Sequence, residues 1–167
     1  MRDNESFTVS KELLGEVASY LDANYVEEDA GQRCHGVVRE ATPQAPLENL
    51  VGNLDEPFTK TLLRLIEAKG KDDVEVYKKA NLDRRLFSKI RSNKAYMPSK
   101  RTVIALAISL ELSLEETNDL LKRAGFALSP SQVGDVIVEY FILHRKYNIY
   151  EINEVLFRYD QPLLGGS

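Results

Sequence analysis

Arg84, Arg85, Ser88 and Lys89 fall within the run DDVEVYKKANLDRRLFSKIRSNK at residues 72–94, spaced to share one side of a short helix. Phe87 and Ile90 take the opposite side of the same helix, and Arg91 and Lys94 lie at its edge, in reach of phosphates. A guanidinium on a rigid helix can give paired hydrogen bonds to guanine O6 and N7 in a major groove. The chemistry these residues can do is therefore hydrogen bonding and charge neutralisation, and it points to nucleic acid rather than to catalysis. The chain shows no glycine-rich phosphate loop and no nucleophile beside a base, so no enzyme is expected.

Charge along the chain agrees with that face. The whole chain of 167 residues carries a net charge of −4, which by itself argues mildly against DNA. Residues 1–55, however, hold 4 basic and 11 acidic side chains, whereas residues 71–101 hold 10 basic and 4 acidic. The local field at a docking face matters more than the total. The 43% apolar content suffices for a core, and no apolar run reaches the roughly 20 residues of a membrane span. The start MRDNESFTVSKELL shows no export signal, and the single Cys34 allows no internal disulfide, so a cytoplasmic location is expected.

Helices must position the basic face. Leu13, Leu14, Val17 and Leu21 predict a first helix over about 10–24, followed by a linker with three prolines and three glycines up to residue 57. Further helices are predicted over 57–69, closed by Gly70, over 72–80, and over 83–93, with Asp83 as cap and Asn81 in the left-handed turn between the last two. Pro98 and Ser99 open the next helix, and Ser113 with Glu116 forms a capping box for another that closes at Gly125. Ser129 as cap, Pro130 at the first helical position and Gln132 then predict a helix start. Asn148 and Glu151 are candidate caps for a last helix ended by Pro162. No segment alternates as a strand does. The expected organisation is all-α: an acidic N-terminal helix and linker over 1–55, a helix-turn-helix unit over 56–129 and a C-terminal helical hairpin over 130–167.

Val76, Ala80, Leu82, Phe87 and Ile90 are the apolar positions that would hold two short helices at a fixed angle. VYKKANLDRRLFSKIRSN resembles the helix-turn-helix of lambda-repressor-like (xenobiotic-response-element-type) regulators, and YMPSKRTVIALAISLELSLEETNDLLKRAG resembles the segment that follows it. The resemblance covers about 56–125 and implies a five-helix DNA-binding core. It implies sequence-specific duplex DNA binding in a bacterial transcriptional regulator. Arg84, Arg85, Ser88 and Lys89 would then approach bases, and Lys78, Lys79, Arg91, Lys94, Lys100 and Arg101 would approach phosphates. Three positions depart from the family pattern. Tyr77 stands where a small residue is usual, Asn81 replaces the turn glycine, and Arg84 replaces a glutamine. Residues 58–165 also resemble an all-helical module found behind bacterial macro domains, whose glycine-rich ligand loops are missing here.

The remaining candidates read more plainly. Adjacent Cys34 and His35 cannot readily chelate one metal, Glu27, Glu28 and Asp29 read as a solvated acidic helix end, and His144 suits a helix C-terminus, so no metal or cofactor is expected. The acidic N-terminal segment can mimic nucleic acid and fold over the basic face, an autoinhibitory arrangement. Tyr140, Phe141, Tyr147, Tyr150, Phe157 and Tyr159 form an aromatic stripe suited either to the core or to a homodimer through the C-terminal hairpin. The alternative function is a protein-interaction adaptor that keeps the fold without binding DNA. No membrane partner is expected.

Overall fold

Periodic apolar residues and side-chain caps set eight α-helices in the computed structural model, which describes residues 9–25 and 54–165. They are α1 (Lys11–Asn24), α2 (Phe58–Ala68), α3 (Asp73–Lys79), α4 (Arg84–Ser92), α5 (Lys100–Ser109), α6 (Leu114–Arg123), α7 (Val133–Leu143) and α8 (Ile149–Arg158). The fold is all-α, with no strand among the described residues. No described helix is long and apolar enough to cross a membrane.

Most starts follow local capping chemistry. Ser10 accepts from Leu13 N at 3.2 Å, Ser99 from Thr102 N at 3.3 Å, and Asn148 from Tyr150 N at 3.0 Å. Both arms of the Ser113–Glu116 capping box are present, at 3.2 and 2.9 Å. That backbone hydrogen bond from Ser113, ahead of the Lys69 ammonium, holds the Glu116 carboxyl below its ordinary range.

The start of α7 departs from the expectation. Ser129 does not cap it, and Pro130 is not in its first turn; the helix begins at Val133. The Ser129 amide instead donates to Asp135 Oδ2 at 2.8 Å, and its hydroxyl bonds Ser131, so the Ser-Pro-Ser segment folds into a turn of its own. The Gly134 amide is satisfied by Gln161 Oε1 at 3.2 Å, a partner 27 residues away. A carboxylate in the helix's own first turn and an amide 27 residues away stand in place of the expected cap.

Helix ends show a second departure. Gly70, Asn81 and Gly125 take left-handed backbone as their residue types favour, but so do Glu111, Arg145 and Asp160. At each of the latter, the next amide reaches back five residues to close the helix: Leu112 to Ala107 O, Lys146 to Phe141 O, Gln161 to Leu156 O. A non-glycine residue in this conformation costs about 1–2 kcal/mol, while glycine loses about 0.5–1 kcal/mol through its freer unfolded chain. Arg145→Gly is therefore expected to stabilise the fold by about 0.5–1 kcal/mol, seen as a higher urea midpoint. A lower midpoint would show that the Arg145 side chain contributes more than its backbone costs.

α5 lies at the centre, with Thr102 to Ser109 all buried, and α3, α6 and α8 pack around it. Among the described residues, buried side chains from Val9 in the N-terminal segment to Leu164 in the C-terminal one belong to one hydrophobic cluster. α1 docks on α7 through Val9, Leu13, Val17 and Leu21. Tyr20 packs edge-on against Tyr140 at 5.3 Å, and Tyr140 Oη donates to Glu16 at 2.7 Å. Burial, and then the Glu16 carboxylate, pushes the Tyr140 hydroxyl up to about 12.

The aromatic stripe divides. Tyr140 and Phe141 are core, Tyr147 and Tyr159 are half-buried, and Tyr150 and Phe157 face outward. Beyond α8 the chain folds back. Asn153 holds both the amide and the carbonyl of buried Leu164, at 2.8 and 3.0 Å. Gly165, at φ 69°, then sits so close to the α3–α4 turn that a Cβ there would lie 2.6 Å from Ala80 O. The C-terminal tail thus braces the segment that orients α4.

Candidate nucleic-acid interface

α3 and α4 are held together by short, specific devices. Asp72 caps α3 by accepting from Glu75 N at 2.8 Å, and Asp83 caps α4 by accepting from Arg85 N at 2.6 Å. Between them Asn81 is left-handed at φ 51°, while the Leu82 amide returns to Tyr77 O at 2.9 Å. Val76, Ala80, Leu82, Phe87 and Ile90 are all buried. Tyr77, the bulky departure from the expected small residue, is accommodated half-exposed, its ring tilted against Phe87 at 5.9 Å. Thr59 of α2 donates its hydroxyl to Ile90 O at 3.4 Å, which ties α4 to a second helix.

With Phe87 and Ile90 inward, Arg84, Arg85, Ser88 and Lys89 are exposed. Neither Arg84 nor Arg85 forms an ion pair among the described residues. Lys89 Nζ lies over the Tyr96 ring, 4.6 Å from its centroid, an attraction that restricts where its ammonium points. Tyr96 had no assigned role in the sequence. An aromatic residue just past a basic helix is the signal that would have found it.

Five of the six flanking cations fall into two groups, and Lys100 stands apart. Lys78, Lys94 and Arg101 are exposed and unpaired among the described residues. Lys79 pairs with Glu75 at 3.0 Å and Glu111 at 3.6 Å, and Arg91 pairs with Asp73. These are exposed pairs, weak enough to exchange an internal carboxylate for an external anion. Lys100 differs from the expectation for it. Its ammonium is held 2.5 Å from Asp135, whose carboxylate is only 11% exposed and also accepts from Ser129 N. Its position just after the proline loop placed it with the surface cations in sequence; the structure gives it an internal ion pair with the start of α7.

Other sequence candidates separate from this face. His144 caps the C-terminal end of α7, with its ring stacked on Tyr140 at 4.1 Å and Nδ1 2.8 Å from Tyr140 O. Cys34, His35 and Glu27 to Asp29 lie outside the described residues. Of the acidic N-terminal segment, α1 packs on α7, and residues 26–53 lie outside the described residues. At the far end of α4, exposed Leu54 and Met97 line a cleft with Lys94 and Lys122. Comparison with protein-family models, curated proteins and solved structures returned no match.

Proposed function

We propose that the chain binds duplex DNA through α4, in the manner of a lambda-repressor-like helix-turn-helix regulator, and is not an enzyme. Arg84, Arg85, Ser88 and Lys89 meet base edges, and Lys78, Lys94 and Arg101 meet phosphates, joined by Lys79 and Arg91 once their internal pairs exchange. The observation that carries this reading is the pairing of two facts on one helix. Phe87 and Ile90 anchor α4 in the core, and Arg84 and Arg85 stand exposed without carboxylate partners among the described residues. A preorganised rod with free guanidiniums loses little freedom on docking.

The two groups of residues differ in what they do. Arg85→Ala is expected to weaken the preferred site by about 1–3 kcal/mol and relax base choice, with little change on random duplex. Lys94→Ala is expected to weaken all sequences alike and to reduce the slope of log affinity against log salt by about one. Fluorescence anisotropy on labelled random and selected duplexes, titrated with salt, measures both. Failure of the unaltered chain to bind duplex at low salt sinks the proposal. So does unchanged affinity and salt slope in both variants.

A second reading, a protein-interaction adaptor, is favoured by the cleft of Leu54 and Met97 beside Lys94. In that case duplex binding is absent, and Met97→Glu rather than Arg85→Ala abolishes partner capture.

A further inference from the structure

We propose that the cleft between the start of α5, the start of α7 and the C-terminal tail binds a small monocarboxylic acid with an apolar body, a single ring or a short branched chain. The cleft has a volume of about 220 Å³, and its apolar wall is Ile104, Val138, Leu156, Pro162 and Leu164. All of these but Pro162 are at most 3% exposed, so the wall belongs to the packed core. Asn153 holds both the amide and the carbonyl of Leu164, which fixes the tail as one side of the cleft. An apolar cavity of about 150 Å³ takes up benzene, whereas sites for drug-sized ligands begin near about 300 Å³. A volume between the two fits one ring or a short chain and little more.

The charge of the ligand follows from the polar side of the cleft. Lys100, Arg101 and Asp135 line it, two cations against one anion. Lys100 and Asp135 are spent on each other, and Asp135 also accepts from Ser129 N at 2.8 Å. Gln161 is spent as well: its Oε1 accepts from Gly134 N at 3.2 Å, and its Nε2 donates to Tyr159 O at 2.9 Å. Arg101 is left, exposed and without a carboxylate partner among the described residues. One free guanidinium beside an apolar cavity matches one carboxylate through two parallel hydrogen bonds. A phosphate ester would bring further negative charge with no second free cation in the cleft to meet it. An amine would add positive charge to a site that already carries an excess of it.

The site does not rest on the DNA reading. Arg101 could serve a DNA phosphate instead, but the test contains no duplex, so either proposal can fail alone.

Phenylacetate, titrated into the full chain and followed by methyl NMR, provides the test. It is expected to bind with a dissociation constant of about 1 mM or below. It should shift the methyl signals of Ile104, Val138 and Leu164 and show nuclear Overhauser effects from its ring protons to them. Acetate has the charge without the ring, and 2-phenylethanol has the ring without the charge. Each should bind at least about tenfold more weakly. Arg101→Met is expected to weaken phenylacetate by at least about tenfold and to leave 2-phenylethanol unchanged. Because Arg101 is exposed, the urea midpoint should not move. No binding of phenylacetate up to about 10 mM, contacts only to methyls outside the cleft, equal affinity for 2-phenylethanol, or an Arg101→Met variant that binds phenylacetate like the parent would each overturn the proposal.

Discussion

Asp135→Asn is expected to destabilise the fold by about 2–3 kcal/mol, because it leaves the Lys100 ammonium without its counter-charge. The pair sits at the junction of the α5 and α7 starts, at 2.5 Å, with the lysine side chain 28% exposed and the aspartate 11%. Asparagine keeps the volume and can still accept from Ser129 N, so the loss isolates the charge. Residual exposure of Lys100 screens part of it, which keeps the effect below that of a fully enclosed pair. Urea denaturation of Asp135→Asn, Lys100→Met and the double variant measures it. The double variant should recover part of the loss, with a coupling of about 1–2 kcal/mol. Equal stability of Asp135→Asn and the parent would mean that Lys100 is not held internally, and would return it to the cations available to a phosphate. Conversely, if the pair is intact, Lys100→Met leaves the salt slope of duplex binding unchanged, whereas Lys94→Ala lowers it.

Ile90→Ala is expected to cost about 2–5 kcal/mol, and Phe87→Ala about 3–5 kcal/mol, enough to unfold a large fraction of a marginally stable domain. Ile90 is fully buried and Phe87 is 4% exposed, at the meeting of α2, α3 and α4. Ser88→Ala and Arg85→Ala, on the exposed side of the same helix, should stay within about 0.5 kcal/mol. Stability and duplex affinity should therefore respond to opposite faces of α4. The inward positions move the thermal midpoint, and Arg85 moves binding at constant midpoint. If Arg85→Ala lowers stability as much as Ile90→Ala, its guanidinium is serving the fold, and α4 is an ordinary surface helix.

Much of this was legible in sequence because it depends on near neighbours. A helix turns every 3.6 residues, so the three-residue spacing of Phe87 and Ile90 already fixed which side of α4 faces inward, and hence which side carries Arg84 and Arg85. Asp83, Ser99, Ser113 and Asn148 cap the helices they were expected to open because each bonds an amide two or three residues away, and Ser10 and Asp72 cap theirs in the same way. Asn81 takes the left-handed turn for the same local reason. The all-α class followed from these signals together. Ser129 carried an equally good local signal, but its hydroxyl is taken up by Ser131 and its amide donates to Asp135, the carboxylate that also pairs with Lys100.

What the sequence by itself determined, then, is where the helices run and which side of each is apolar: both are set by forces that act over one or two turns. Only the tertiary structure decided which charges are spent. Lys100 finds Asp135 across 35 residues, Gly165 lands on Ala80, and Glu111, Arg145 and Asp160 accept left-handed backbone because the chain after each must turn back to the core. Tyr150 and Phe157 look no different in sequence from Tyr140 and Phe141. Which pair is buried depends on how helices far apart in the chain cross, a geometry fixed by the sum of all their packing and encoded in no single segment.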